Sequence, residues 1–286
     1  MTCAGTALFL AVNMPAQNLF EADNGSGNIN EFTPGGAPSM FVSGLTGPGP
    51  LAFDSAGNLY AGNNGVITEI TPGGKQSTFA SIGPALFGLA FNTAGDLFTV
   101  IHQGSVIEIA PDGTQSTFAT GLTGAPQGVA FDSSGNLFVA DDLGSSIFKI
   151  APDGTVSIFA TTGESSRGVL AFDSQGDLFT AKGIDLYEFT NNNGDLSTTP
   201  VLISSVLSGP TALAFDSAGD LFESDGNTGR INEFINNDGT LSSTPTIFAS
   251  GLNQPEGLAF APVPEPSALA LLAAGSAALF VRRRKN

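Results

Sequence analysis

Seven positions hold most of the chemistry this chain could perform: Asp23, His102, Gln127, Asp141, Arg167, Asp225 and Glu256. Four of them are carboxylates, whose oxygens suit a hard cation such as Ca2+ or the hydroxyls of a polar ligand. His102 is the only histidine, and a single imidazole in a loop is ordinarily a solvated side chain. Cys3 is the only cysteine, which excludes an intramolecular disulfide and a thiolate metal cluster. No G-x-S-x-G or H-E-x-x-H stretch occurs. D-x-[DN]-x-[DN]-G is also absent, so the Asp-x-x-Gly runs at Asp54, Asp132, Asp173 and Asp216 read as turns. These residue types favour a binding or structural module over an enzyme, with Ca2+ the one cofactor their oxygens suggest and no metal set defined by spacing.

What marks these positions is that they vary where their surroundings repeat. Residues 129–159, VAFDSSGNLFVADDLGSSIFKIAPDGTVSIF, recur in close variants through most of the chain, and the Phe of the leading A-F segment returns as Phe53, Phe91, Phe131, Phe172, Phe215 and Phe260. A period of about forty residues signals a repeat architecture. Each unit reads as four short strands, A to D in chain order, with Pro152-Asp153-Gly154-Thr155 a hairpin turn between C and D. Strand B is apolar on both faces, as in Leu137-Phe138-Val139-Ala140, so its sheet must be covered on both sides. Radial stacking of like sheets does this, and the fold class predicted is an all-β, six-bladed β-propeller of four-stranded antiparallel blades.

B strands are expected at 18–20, 58–60, 96–98, 136–138, 177–179 and 220–222. The first has no A strand before it, and the A segment at 258–260 has no B strand after it. Residues 258–260 should therefore complete the first blade and leave no open edge; the rival reading is a start placed too late, with blades lost upstream. In such a ring the D-to-A connections present Phe87, Gln127, Arg167, Thr211 and Glu256 near the central channel. The B-to-C connections add Asp23, Asn63, His102, Asp141, Lys182 and Asp225. Side chains that the fold does not dictate are where a ligand is read. With Trp absent and Phe numbering 23, phenylalanine should fill the space between blades. The near copies NNNGDLSTTP and NNDGTLSSTP, within 190–200 and 235–245, read as extended hairpins, decoration more than a shared binding edge.

Three segments follow: a signal-peptide-like stretch at 1–17, the propeller at 18–262 and a tail at 263–286. Four of the nine basic residues lie at 282–285, leaving five basic against 25 acidic groups elsewhere, apart from Glu265 in the tail, a net of −20. Such a surface repels phosphate backbones and excludes nucleic acid as a partner; solubility in an external medium is its simplest reading. Residues 4–12 are an apolar core before a candidate cleavage after Ala16, although no basic residue precedes it.

The tail runs Val263-Pro264-Glu265-Pro266, an apolar span at 267–281, then Arg282, Arg283, Arg284 and Lys285. It resembles the PEP-CTERM sorting signal of bacterial exported proteins, in which these three parts follow in this order. The resemblance implies recognition of Pro264, Glu265 and Pro266 by an exosortase-type enzyme, with release or transfer of the body to the cell surface or matrix, and extracellular polysaccharide as a partner. As a helix the fifteen residues of the span reach about 22 Å, short of a hydrocarbon core of about 30 Å, which suits a transient membrane anchor. The basic end would stay cytoplasmic and the ring outside. A C-terminal helix docked on the ring would leave the basic cluster unexplained.

The repeats themselves resemble NHL-type, gluconolactonase-like and streptogramin-lyase-like propellers through G-x-A-F-D, G-N-L-F-V-A-D and I-x-P-D-G-T. A lactonase-like site implies a carboxylate before a first-strand glycine, with Asn and Asp ligands from other blades holding a divalent cation. Glu256 matches the first part, while Gln127 and Arg167 depart from the pattern. A streptogramin-lyase-like site implies more than one histidine, and only His102 is present. A metal-dependent lactonase-like hydrolase or a lyase is thus the alternative to a binding or structural module.

Overall fold

Short apolar runs punctuated by Asp-x-x-Gly and Pro-x-Gly turns have no length for helices, and no helix occurs among the described residues. The computed structural model describes residues 16–83, 86–101, 103–143, 145–161 and 168–263. The ring, Ala16–Ala261, contains six four-stranded antiparallel sheets. In blade four the strands run outward as Pro126–Phe131, Leu137–Asp141, Ser146–Ile150 and Val156–Thr161. The six A strands are Pro255–Phe260, Pro48–Phe53, Leu86–Phe91, Pro126–Phe131, Val169–Phe172 and Pro210–Phe215, for blades one to six. Each packs against the next, and the last against the first, around the central axis.

Blade one is built from both ends of the ring. Pro255–Phe260 pairs with Leu19–Asp23, setting Ala259 opposite Phe20 and Leu258 opposite Glu21. Asn28–Phe32 and Pro38–Val42 complete the sheet. Ala261 N–H donates to the Asn18 carbonyl at 3.0 Å, and Gln17 Nε2 to the Ala261 carbonyl at 2.6 Å, so the join runs past the ladder.

Between blades the filling is phenylalanine. Each B-strand ring meets the A-strand ring of the following blade edge-to-face: Phe20 with Phe53, Tyr60 with Phe91, Phe98 with Phe131, Phe138 with Phe172, Phe179 with Phe215 and Phe222 with Phe260. Their centroids stand 5.0 to 5.2 Å apart, the spacing at which positive ring edges face negative ring faces. Strand B is accordingly covered on both faces; all five residues of Leu137–Asp141 are buried.

Two local expectations change. A strands begin upstream of the x-A-F core, at Pro48, Pro126, Pro210 and Pro255 in four blades; proline is tolerated there because a first strand residue needs no ladder donor. At the blade-four turn only Gly154 is left-handed, with φ 83°. Asp153 instead accepts the Thr155 N–H at 3.0 Å. Paired positive-φ turns occur in the two extended hairpins, at Asn193-Gly194 and Asp238-Gly239. The expected hydrophobic helix from 267 lies outside the described residues, as does the leader up to residue 15.

Candidate functional site

The A strands enclose a cavity of about 670 Å³ on the ring axis. Its floor is written in the repeat: the residue before each Ala-Phe is Leu51, Leu89, Val129, Leu170, Leu213 or Leu258, and all six line the cavity. Each is less than a tenth exposed. The six side chains give the cavity, here called the bowl, an apolar floor. A collar of small residues follows, including Gly88, Gly128 and Gly257. Closeness of backbones requires glycine at Gly128, where an added Cβ would stand 1.7 Å from the Gly168 carbonyl oxygen.

The rim carries Phe87, Gln127, Asp142, Thr211 and Glu256. Bulges aim three of these inward. In blade four Pro126 opposes Asp141 and Gly128 opposes Ala140, leaving Gln127 out of the ladder. The same skip leaves out Thr211 in blade six and Glu256 in blade one, since a bulge takes one side chain out of the in–out alternation. Gln127 Nε2 donates to Asp142 Oδ2 at 3.1 Å. Thr211 Oγ1 donates to the Pro255 carbonyl at 2.6 Å, tying blade six to blade one. Although Glu256 keeps an exposed side chain at the mouth, partial desolvation by the cavity wall raises its carboxyl above the ordinary range, opposed by the Asn24 amide.

Of the seven candidate residues, Gln127 and Glu256 line the bowl. Asp23, Asp141 and Asp225 are placed behind it, buried at the ends of their B strands. Asp141 Oδ1 accepts the Ala125 N–H at 2.6 Å and the Leu143 N–H at 3.0 Å. Asp23 accepts from Ser26 at 3.0 Å and from Asn253 at 2.8 Å. Asp225 accepts from Asn227 and Thr228, both at 3.0 Å. Their work is to fasten connections, and the repeat itself carries the signal. Blades with proline at the start of strand A have Asp or Asn opposite it, in Pro48/Asn63, Pro126/Asp141, Pro210/Asp225 and Pro255/Asp23. Blade three, starting with Leu86, has Ile101 there instead. The residue that reads the channel is the next one along: Asn24 beside Glu256, and Asp142 in place of Asp141. His102 and Arg167 lie outside the described residues, as do Pro264, Glu265 and Pro266.

Among the described residues, oxygen donors for a divalent cation do not converge. Glu256 stands against Asn24, and the three aspartates of the connections are engaged with backbone N–H groups. What the rim offers is a set of hydrogen-bonding groups and one phenyl ring above an apolar floor.

Comparison with known proteins bears on the two ends of this description. The family model described as the PEP-CTERM protein-sorting motif matches residues 262–285, so the chain carries a signal for export and membrane-associated sorting, read by exosortase-type processing enzymes. No curated protein matches the chain. Among solved structures, virginiamycin B lyase from Staphylococcus aureus is 16% identical with a TM-score of 0.60, covering 83% of this chain and 85% of that one. A protein of unknown function from Bacteroides caccae is 16% identical with a TM-score of 0.63, covering 86% and 99%. A putative gluconolactonase is 17% identical with a TM-score of 0.63, covering 85% and 97%. At these identities the likeness is one of fold.

Proposed function

We propose that this protein is an exported β-propeller that serves as a binding module at the cell surface or in the extracellular matrix, taking its ligand in the axial bowl. The observation that carries this reading is the make-up of the rim, where a carboxyl and an amide are joined in Asp142 and Gln127 at 3.1 Å and Thr211 and Glu256 add further polar groups. Such groups offer fixed donors and acceptors to ligand hydroxyls, and Phe87 with the aliphatic floor covers an apolar face. Extracellular polysaccharide has this mixed character. In the same reading the span at 267–281 forms a short helix that anchors the chain until an exosortase acts at Pro264, Glu265 and Pro266.

The test is titration of the full chain with extracellular polysaccharide, followed by calorimetry and thermal shift. Glu256→Gln and Gln127→Ala should each weaken binding by about tenfold, the worth of one lost hydrogen bond at about 1.4 kcal/mol, with the melting temperature unchanged. Unchanged affinity in both variants refutes the site.

A second reading, a lactonase-like hydrolase or a lyase, is favoured by the fold shared with virginiamycin B lyase and a putative gluconolactonase. It requires turnover of a lactone or streptogramin that Glu256→Gln abolishes and a chelator suppresses. The binding reading requires turnover at background.

A further inference from the structure

Two glutamates lie in the interior and take no part in the bowl. Glu21 and Glu223 are both 0% exposed. They occupy the same place in strand B of blades one and six, opposite the floor residues Leu258 and Leu213. Strand alternation sets Glu21 on the face with Leu19, which packs against Phe222 and Ile231 of blade six. Glu223 shares the face of Leu221, which packs against Val169 and Phe179 of blade five. The two carboxyls therefore stand in adjacent seams, six to one and five to six.

Each has one hydrogen bond. Asn30 Nδ2 donates to Glu21 Oε2 at 2.8 Å, and Asn232 Nδ2 to Glu223 Oε2 at 2.7 Å. Oε1 of both is buried with no hydrogen-bond partner. The pairing is part of the design of these two blades alone. Elsewhere the directly opposed residues are Ala61 and Thr68, Thr99 and Ile107, Val139 and Phe148, and Thr180 and Tyr187. Glutamate and asparagine occur together or not at all.

No cation among the described residues acts on either carboxyl. Asp23 lies on the strand of Glu21 and Asp225 on that of Glu223, both of like charge. Across the seam from Glu21, the C strand of blade six, Arg230–Phe234, brings Glu233, held by Thr246 Oγ1 at 3.3 Å, while Arg230 stands exposed at the strand's start, opposite Asp225. Across from Glu223, the C strand of blade five brings Glu188, whose carboxyl is itself pushed up by burial and by the like charges of Asp177 and Asp173. On the paired A strand of blade one, Glu256 lines the axial cavity. A carboxylate here would be an anion with half its acceptors unpaired in an apolar seam, and such a group takes up a proton instead. Burial pushes both carboxyls up to about 8, with the asparagine bond opposing and the neighbouring aspartate adding to the rise.

We propose that Glu21 and Glu223 are proton-operated fastenings of the two seams around blade six: neutral, they let the seams pack dry, and ionised, they admit water behind Leu213 and Leu258 and loosen the ring. The sign follows from linkage. The folded chain keeps protons that the unfolded chain releases above the ordinary glutamate range, so stability is full below that range, falls as pH rises towards about 8, and is level beyond.

The experiment is urea unfolding of the full chain at intervals from about pH 5 to about pH 9, beside Glu21→Gln/Glu223→Gln. Each retained proton makes the unfolding constant rise about tenfold per pH unit, so the wild type should gain about 100-fold per unit from this pair and the double variant should lose that part of the slope. Equal slopes overturn the proposal. Should the double variant fail to fold, infrared spectra of the wild type decide: a protonated-carboxyl C=O band at about pH 6, fading as pH approaches about 9 with the ring still folded, supports it. No such band overturns it.

Discussion

Phe222→Ala tests whether the ring stands or falls as one body. Phe222 is 4% exposed and meets Phe248 of its own blade and Phe260 of blade one, both at 5.0 Å with planes at 89° and 73°. Truncating a buried phenylalanine costs about 3–5 kcal/mol, and each lost edge-to-face pair adds about 0.5–1.5 kcal/mol beyond the area term. The expected loss is about 5 kcal/mol, against a total of about 5–15 kcal/mol for a folded domain. Phe179→Ala is the control. Phe179 is as buried, but its one ring neighbour among the described contacts is Phe215, and Ile203 stands where other blades have a D-strand Phe. It should cost about 1 kcal/mol less, the worth of one aromatic pair. Urea unfolding followed by fluorescence and circular dichroism gives both values, with coincident transitions and an unchanged slope expected. A loss under about 2 kcal/mol for Phe222→Ala, or a separate early transition for one blade, refutes a ring held by consecutive aromatic contacts.

Gly128→Ala should destabilise the ring by about 3 kcal/mol, read as a lowered urea midpoint, because the new methyl meets the Gly168 carbonyl and neither backbone can move without parting two A strands. Asp141→Ala should cost about 1–3 kcal/mol by orphaning the Ala125 and Leu143 N–H groups, while Asp141→Asn recovers part of it. Amide exchange at those two N–H groups is the direct check, and protection equal to wild type in the alanine variant refutes the fastening role.

The repeat carried the architecture because construction is copied from blade to blade. The x-A-F triplet gives the floor and the inner aromatic, the apolar B strand demands cover on both faces, and the complementary ends at 18–20 and 258–260 require each other. Rim positions were legible only in part, since they depend on bulges, and a bulge shifts the side chain that faces the channel by one residue. That is why Gln127 and Glu256 fall in the bowl while Asp23, Asp141 and Asp225 fall one step short of it. The opposition of proline and Asp or Asn was present in the sequence, but it becomes a signal only once strand register pairs residues about fifteen apart, such as Pro126 with Asp141. Glu21 and Glu223 are the plainest omission: two charged residues directly after the segments read as B strands, 18–20 and 220–222, matched by Asn30 and Asn232 in the next strand.

The join in blade one has a consequence for the order of events during synthesis. Leu19–Asp23 is made before the other five blades and must wait for Pro255–Phe260, so a chain crossing a membrane N-terminus first remains an unclasped arc until the last A strand of the ring has passed. The residue that ends the ladder, Phe260, stands two positions ahead of the matched sorting motif at 262–285. Completion of the ring and delivery of that motif to its processing enzyme are thus neighbouring moments.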